Sequence, residues 1–599
     1  MFCASIAVAL MLGSALVYNL WWGRPTSFNL FVERVLVKKA LSDPELLSYL
    51  GIVDNTPLDF FSGNLSDMSH QHNIQELKEV QDSLAMLRGY DRAKLTEQEQ
   101  LTYDILEQFL LGVLDGASFG YGTYLNSAGP YPVNQLFGVQ NSLPDFMANI
   151  HRVTNKKSAE RYIKRLSQWE KKFQDLIAEL KLREEHGVIP PRFVIEQVLE
   201  ESKKFISVVP AENMLFTTFS AKLQKIEIDR DLLEKMVLGE IETRVYPAYI
   251  QLIAFLEGQR TRATHDDGVW KFPAGDRYYA SMLKYHTTTN EPPAKVHELG
   301  ISEIARIEKE MRSILDRLGH QDLSVGEAMR SLGKDPKFLY PDTDQGRTEI
   351  LADFHAIFDR IQTKLPELFL HLPKGKLKIE AIPDFKAKTA PMAYYEPGDL
   401  KGTRPGVFFV NTHDVKSQTK LTMPSLAYHE GVPGHHLQIS IALEIPKLPA
   451  FRKVVPFTAY QEGWALYCEQ LAKEYGFITD PYHDLGRLQM EMIRAVRLVV
   501  DTGIHYKRWT REGALQYMID KTGKNEWEVG SEIDRYIVLP GQACSYKIGM
   551  IKLLELREKM KNQKGAAFDI KEFHDIVLRN GAMPLTLLEK TLDRVLDGR

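Results

Sequence analysis

The run Ala427-Tyr428-His429-Glu430-Gly431-Val432-Pro433-Gly434-His435-His436, followed by Tyr460-Gln461-Glu462-Gly463-Trp464-Ala465, decides how this chain is read. The first run joins a His-Glu pair to a pair of histidines within the next turns of chain. The second brings a carboxylate onto what reads as the following helix. Hydrolytic zinc sites take three protein ligands of imidazole and carboxylate type and keep a fourth position for water. The Glu directly after the first ligating His is where the His-Glu-x-x-His signature places its general base. The expectation is a zinc-dependent peptidase, with Zn²⁺ between two helices and Glu430 as the base.

Thr422-Met423-Pro424-Ser425 predicts the start of the first of these helices, with Thr422 as its cap and Pro424 in the first turn. Residues four apart share a helix face, so an unbroken helix would put the second ligand at 433. That position is Pro433, which cannot bind metal. Pro433 also removes the backbone donor to residue 429, and Gly434 weakens what remains. A break is therefore expected between Gly431 and Gly434. On a straight helix His436 would stand at about 700° from His429 but about 10 Å along the axis, too far for one ion. The metal reading requires the break, which must bring His435 or His436 round to His429 and Glu462. Each histidine alone reads more readily as a packed or solvated residue; the combination with Glu462 points to a metal.

The bulk properties are those of an ordinary soluble protein. Apolar residues make up 44% and charged ones 26% of 599 residues, and the net charge is −4. No basic cluster with interleaved aromatics is present, so nucleic acid is not an expected partner. Length alone would predict three or four domains, at roughly 100–200 residues each, yet no linker or repeat separates them. Cys3, Cys468 and Cys544 are too few for a disulfide framework, although a Cys468–Cys544 bridge is conceivable.

Phe2 to Trp22 is an apolar run without a charged side chain, near the length that spans a bilayer as a helix. Tyr18, Trp21 and Trp22 close it like an interfacial belt, and Arg24 follows. Residues 1–23 are read as a membrane anchor, with a cleaved signal peptide as the alternative. Residues 24–599 are read as an exported body, periplasmic or extracellular.

That body is expected to be mainly helical. Tyr162, Ile163, Leu166, Trp169, Phe173, Leu176, Ile177 and Leu180 recur at helical spacing, and Gly187 stops the run. Similar stripes run through Leu232–Ile253, Ile304–Leu318, Leu553–Met560 and Leu585–Leu596. Ile379–Ile382 and Gly406–Asn411 read as short strands, with Met392–Gly398 between them as a turn-rich segment. A small sheet beside the metal helix offers an edge for an extended peptide, or serves only as a cap.

His-Glu-Gly-Val-Pro-Gly-His-His-Leu-Gln from His429, Glu462-Gly-Trp-Ala-Leu-Tyr, Arg497-Leu-Val-Val-Asp-Thr-Gly-Ile-His505 and Pro540-Gly-Gln-Ala-Cys-Ser-Tyr-Lys-Ile-Gly549 occur in this order. With Gly268-Val-Trp270 and Tyr285-His-Thr-Thr-Thr289, they resemble the bacterial domain-of-unknown-function family numbered 885, from about residue 45 to the C-terminus. The resemblance implies a two-lobed helical zincin, gluzincin-like, with a deep cleft and a small β-sheet beside the metal helix, related to oligopeptidases and the angiotensin-converting-enzyme type. Those relatives carry His-Glu-x-Gly-His; Gly434-His435 matches their Gly-His after two extra residues, which favours His435 over His436 as ligand. Glu462 matches their downstream Glu ligand. Relatives also use Tyr and His from a later segment to stabilise the oxyanion, for which Tyr536, Tyr546 and His505 are the candidates. Arg497 and Lys547 are candidates for binding a peptide carboxylate, and Asp501 for orienting a ligating His. Two rival functions stand beside peptide hydrolysis: a membrane-anchored peptide-binding protein without turnover, and a zinc hydrolase of a non-peptide amide.

Overall fold

The computed structural model describes residues 18–19, 21–51, 54, 56, 59–120, 129–383, 391–399, 404–413 and 415–598. Most of the apolar segment at 2–22, including Cys3, lies outside these residues. Among the described residues no helix is long and apolar enough to cross a membrane. The chain is mainly helical and divides into two compact units, Met1–Asp266 with Lys271–Ala274, and Asp267–Trp270 with Gly275–Arg599.

The first unit is built from helices whose apolar stripes meet in one core. The stripe around residue 170 forms Lys156–Ser167 and Trp169–Glu185, and the chain then turns at Gly187 with φ 79°. Tyr162, Leu166, Trp169, Phe173 and Leu176 are fully buried there against Val237, Ile241, Val245 and Tyr249. These last belong to the Leu232–Ile253 stripe, which is two helices, Asp231–Glu240 and Tyr246–Arg260, joined by a wider turn at Ile241–Val245.

The second unit carries the predicted chemistry. Its principal elements are α1 (Gly275–Thr287), α2 (Pro293–Arg317), α3 (Asp344–Gln362), β1 (Leu377–Ala381), β2 (Ala393–Glu396), β3 (Gly406–Val410), α4 (Met423–Glu430), α5 (His435–Glu444), α6 (Thr458–Glu474), α7 (Pro481–His505), α8 (Glu526–Val538) and α9 (Ser545–Lys564). The sheet has the order β1-β3-β2, with β1 parallel and β2 antiparallel to β3. The segment expected to be only turn-rich is therefore corrected to a strand. Tyr394 and Tyr395 pair with Phe409 and Phe408 of β3, and aromatic cross-strand pairs of this kind stabilise a sheet. Pro397-Gly398 ends the strand. Phe408 is buried against Phe354 and Phe358 of α3, and the Tyr395 hydroxyl lies 3.0 Å from His436 Nδ1 at the start of α5.

Helix α7 is buried from Asp484 to His505. A helix buried all round must pair its own charges. Arg487 bonds Asp484 at 2.9 Å and Glu491 at 3.1 Å, and Lys547 of α9 reaches Glu491 at 2.6 Å. Further along, the Asp501 carboxylate accepts the Tyr279 hydroxyl at 2.6 Å and the Gly541 N–H at 3.0 Å. Burial raises the Asp501 carboxyl to about 7 against the pull of those two hydrogen bonds. A carboxyl whose folded pKa is raised contributes stability that is full below its unfolded value near 4 and lost as pH rises through the folded one. Asp501→Asn should therefore gain stability relative to wild type between pH 4 and pH 8, by up to about 4 kcal/mol. Parallel denaturant titrations at the two pH values measure it, and an unchanged difference would remove Asp501 as the cause.

Cys468 and Cys544 are both buried free thiols, so the conceivable bridge is not made.

Candidate metal centre

The break expected after His429 separates α4 from α5. Helix α4 ends at Glu430, the chain turns through Gly431–Gly434, and α5 begins at His435. Thr422 is not the side-chain cap predicted for α4: its hydroxyl lies 3.1 Å from that of Thr419, and Pro424 alone marks the first turn. The interruption is held from α6. The Pro433 carbonyl, released from helical bonding, accepts the Trp464 indole N–H at 2.9 Å and the Cys468 thiol at 3.3 Å. Gly434 is required for the turn to close. A Cβ there would lie 1.9 Å from the His429 carbonyl oxygen and 2.4 Å from that of Tyr428.

The result brings His429, His435 and Glu462 together, with one potential ligand atom from each lying within 4.8 Å of the others. His429 Nε2 is 3.4 Å and His435 Nε2 is 3.5 Å from the same oxygen, Glu462 Oε2. The imidazoles face each other nearly at right angles, with centroids 4.9 Å apart. Ligands about 2.05 Å from a tetrahedral ion are separated by about 3.3 Å, so this spacing suits zinc. His429 is buried, whereas the Glu462 side chain keeps 21% of its exposure and His435 12%, which leaves water access on their side.

The electrostatics are those of a cation site. Burial works against the Glu462 carboxylate, yet His435 and His429 hold it well below the usual range. Burial would likewise lower His429, but Glu462 and Glu469 outweigh it and raise the imidazole to about 9. A metal ion bound to this ring would have to displace that proton. Glu430, next to His429 in sequence, is half-buried and outside the ligand group. Burial raises its carboxyl, with His435 and His429 pulling the other way.

Glu469 was not found from the sequence. It lies on α6 seven residues after Glu462, two turns along the same face, and that spacing was the available signal. Its Oε1 accepts the His429 Nδ1 proton at 2.8 Å, and Ser425 of α4 donates to the other oxygen. Arg494 of α7 stands 3.9 Å behind it. Glu469, and not Asp501, is the carboxylate that orients a candidate ligand; Asp501 is spent on Tyr279 and Gly541. Such carboxylate–His pairs fix the tautomer that leaves Nε2 as the metal donor, and breaking them typically costs 10–100-fold in affinity. Glu469→Gln is expected to weaken zinc binding by about that factor, read by chelator competition. An unchanged affinity would make Glu469 merely a packing residue.

The remaining candidates divide. Tyr546, at the start of α9, is half-buried and feels the charge of Glu462. His436 is turned away from the ligand group toward the sheet, with Nδ1 near Tyr395 and Ser440. His505 is corrected: Nδ1 accepts the Val269 N–H at 3.2 Å and Nε2 donates to the Tyr536 carbonyl at 2.9 Å, so both nitrogens are committed to the fold. Tyr536 is corrected as well, because its hydroxyl is engaged by Arg497 at 2.9 Å and by Glu532, and the side chain is buried. Lys547 is buried between Glu491 and Glu303 and is a structural ion pair rather than a ligand-binding cation. These outcomes follow from how polar groups are paired in three dimensions, which adjacency in sequence does not reveal.

Comparison with known proteins adds the following. A family model described as "Bacterial protein of unknown function (DUF885)" matches residues 44–592. No curated protein matches the chain. The crystal structure of a "putative lipoprotein from Colwellia psychrerythraea" superposes with a TM-score of 0.91 at 32% identity, over 96% of this chain and 99% of that one. A "putative lipoprotein of unknown function from Shewanella oneidensis" shares the fold with a TM-score of 0.74 at 16% identity, over 94% of this chain and 99% of the other.

Proposed function

We propose that this chain, which belongs to the DUF885 family of bacterial proteins, is an exported zinc-dependent peptidase acting on small peptides. The observation that carries the reading is the meeting of His429, His435 and Glu462 at zinc-ligand spacing, with Glu430 next after His429 in the chain and outside the ligand set. A related zincin fold, two-lobed with a cleft, belongs to the same proposal. Export is supported by the apolar segment at 2–22 and by the lipoprotein description of the two similar structures.

His429, His435 and Glu462 would hold Zn²⁺, which supplies Lewis-acid activation of water and of a carbonyl oxygen. Glu430 takes the proton from the attacking water at a carboxylate oxygen and passes it to the leaving amine nitrogen. The elevated position of its carboxyl suits both halves of that transfer. Tyr546, near Glu462, offers its hydroxyl to the oxygen on which charge develops. Glu469 holds the His429 ring by its Nδ1–H and leaves Nε2 toward the ligand position.

The test is metal analysis of the purified chain together with hydrolysis of a mixed tripeptide pool followed by mass spectrometry. One zinc per chain and new peptide termini, both lost on chelation and restored by zinc, are expected. Zinc without cleavage of any peptide would favour the binding-protein reading, and no zinc would end both.

A further inference from the structure

Against Tyr546 lies a charged group that the ligand set does not use. Arg497 of α7 places its guanidinium carbon 4.4 Å over the ring of Tyr546. Its Nε–H donates to the Tyr536 hydroxyl at 2.9 Å and its Nη2–H to Glu532 Oε2 at 2.8 Å. Arg535 of α8 donates to that same oxygen at 2.9 Å and to Gln542 at 2.5 Å. Two guanidinium groups thus share one carboxylate oxygen, which also accepts the Tyr536 hydroxyl. The cluster carries a net positive charge.

Arg497 Nη1 is buried and has no hydrogen-bond partner. A buried charged donor left unmet costs free energy that a structural ion pair normally avoids by completing its bonds. Water nevertheless reaches the cluster. The side chains of Glu532, Arg535 and Arg497 keep 33%, 18% and 10% of their exposure, although the protein surrounds them closely. Tyr546 connects the two places, stacked on Arg497 and within the field of Glu462. A planar, permanently charged guanidinium with donors to spare is matched to a carboxylate.

We propose that Arg497, backed by Arg535 and lying against Tyr546, is a carboxylate subsite that receives the C-terminal carboxylate of the peptide held at the metal centre. The enzyme is then a carboxy-terminal exopeptidase, an assignment that rests on the peptidase reading above. A bound carboxylate supplies the acceptor that Nη1 lacks and balances the surplus charge. Tyr546 lies against Arg497, and the contact of Gly463 with Gly549 one turn away brings its helix to that of Glu462, so the subsite and the ligands lie within the reach of one short peptide.

The test uses the full chain carrying Glu430→Gln and loaded with zinc, which binds without turnover. Affinities are measured calorimetrically for N-acetylated tripeptides as free acids, as amides, and as amides ending in Glu. The free acids should bind at least tenfold tighter than the neutral amides, and the Glu amides should behave like the neutral ones. Adding Arg497→Gln should bring the acid-to-amide ratio close to one with zinc content unchanged, and Arg497→Lys should restore part of it. Equal binding of acids and amides overturns the subsite, and cleavage of both by the unmutated enzyme would show that the peptidase reading survives. Glu amides binding like the acids would overturn the assignment to the chain terminus. If no peptide is bound or cleaved, both readings fall. Should Arg497→Gln not fold, the ratios in the Glu430→Gln chain and its Arg497→Lys derivative decide.

Discussion

Glu430→Gln should leave zinc binding intact and lower peptide turnover by about 10²–10⁴-fold, the usual contribution of a positioned general base. Zinc retention is expected because Glu430 is not among the side chains whose ligand atoms converge. Loss of turnover is expected because the amide cannot accept the proton of the attacking water. The substitution is nearly isosteric, and α4 ends at this residue, so the turn that places His435 is not disturbed. Zinc content, with kcat and KM on the best peptide from the pool, reads the result. A variant that loses zinc would recast Glu430 as a ligand. One that keeps full turnover would remove the base and the peptidase mechanism with it.

Gly549→Ala should be among the most damaging single substitutions in the second unit, although residue 549 touches no candidate ligand. Helices α6 and α9 cross with their backbones in contact at Gly463 and Gly549. A Cβ at Gly549 would lie 1.9 Å from the Ala459 carbonyl oxygen and 2.7 Å from Gly463 Cα, and one at Gly463 would lie 2.5 Å from the Gly549 backbone. Backbone atoms cannot rotate aside, so the helices must separate, and overpacking of this kind costs about 3 kcal/mol. Glu462 stands one residue from the crossing and Tyr546 one turn from it. Separation therefore moves the carboxylate ligand away from the histidines, and zinc affinity should fall at least about tenfold, in the range seen when ligand placement is disturbed. Denaturant unfolding and chelator competition give the two readouts. Gly239→Ala is the control, since its Cβ would meet nothing within 4 Å inside the helix Asp231–Glu240. That change should be neutral or stabilising. If Gly549→Ala unfolds and binds zinc like wild type, the crossing does not control Glu462.

Much of the second unit was legible from residues that act locally. Pro433 and Gly434 announce a break through their own backbone chemistry, and the helix does break there. Helical spacing of apolar side chains located Leu585–Leu596 to the residue, because that pattern is set by one face of one helix. The strand at Ala393–Glu396 was missed because a strand of four residues has too few positions to show alternation, and it exists through its pairing with β3. The same holds for Thr422, whose cap role was inferred from residue type while its hydroxyl is taken by Thr419.

By itself the sequence determined the helical class and the family membership, and it named His429, Glu462 and either His435 or His436 as candidate ligands with Glu430 as candidate base, since these depend on residue identity and short spacing; the grouping of His435 rather than His436 with the other two came from the fold. Only the tertiary structure decided which polar groups were already spoken for. It gave Glu469 rather than Asp501 to His429, withdrew His505, Tyr536 and Lys547 into internal pairs, and left Arg497 with an unmet donor beside Tyr546. The physical reason is that a buried hydrogen-bonding group must find its partner wherever packing puts one, and packing joins residues far apart in the chain.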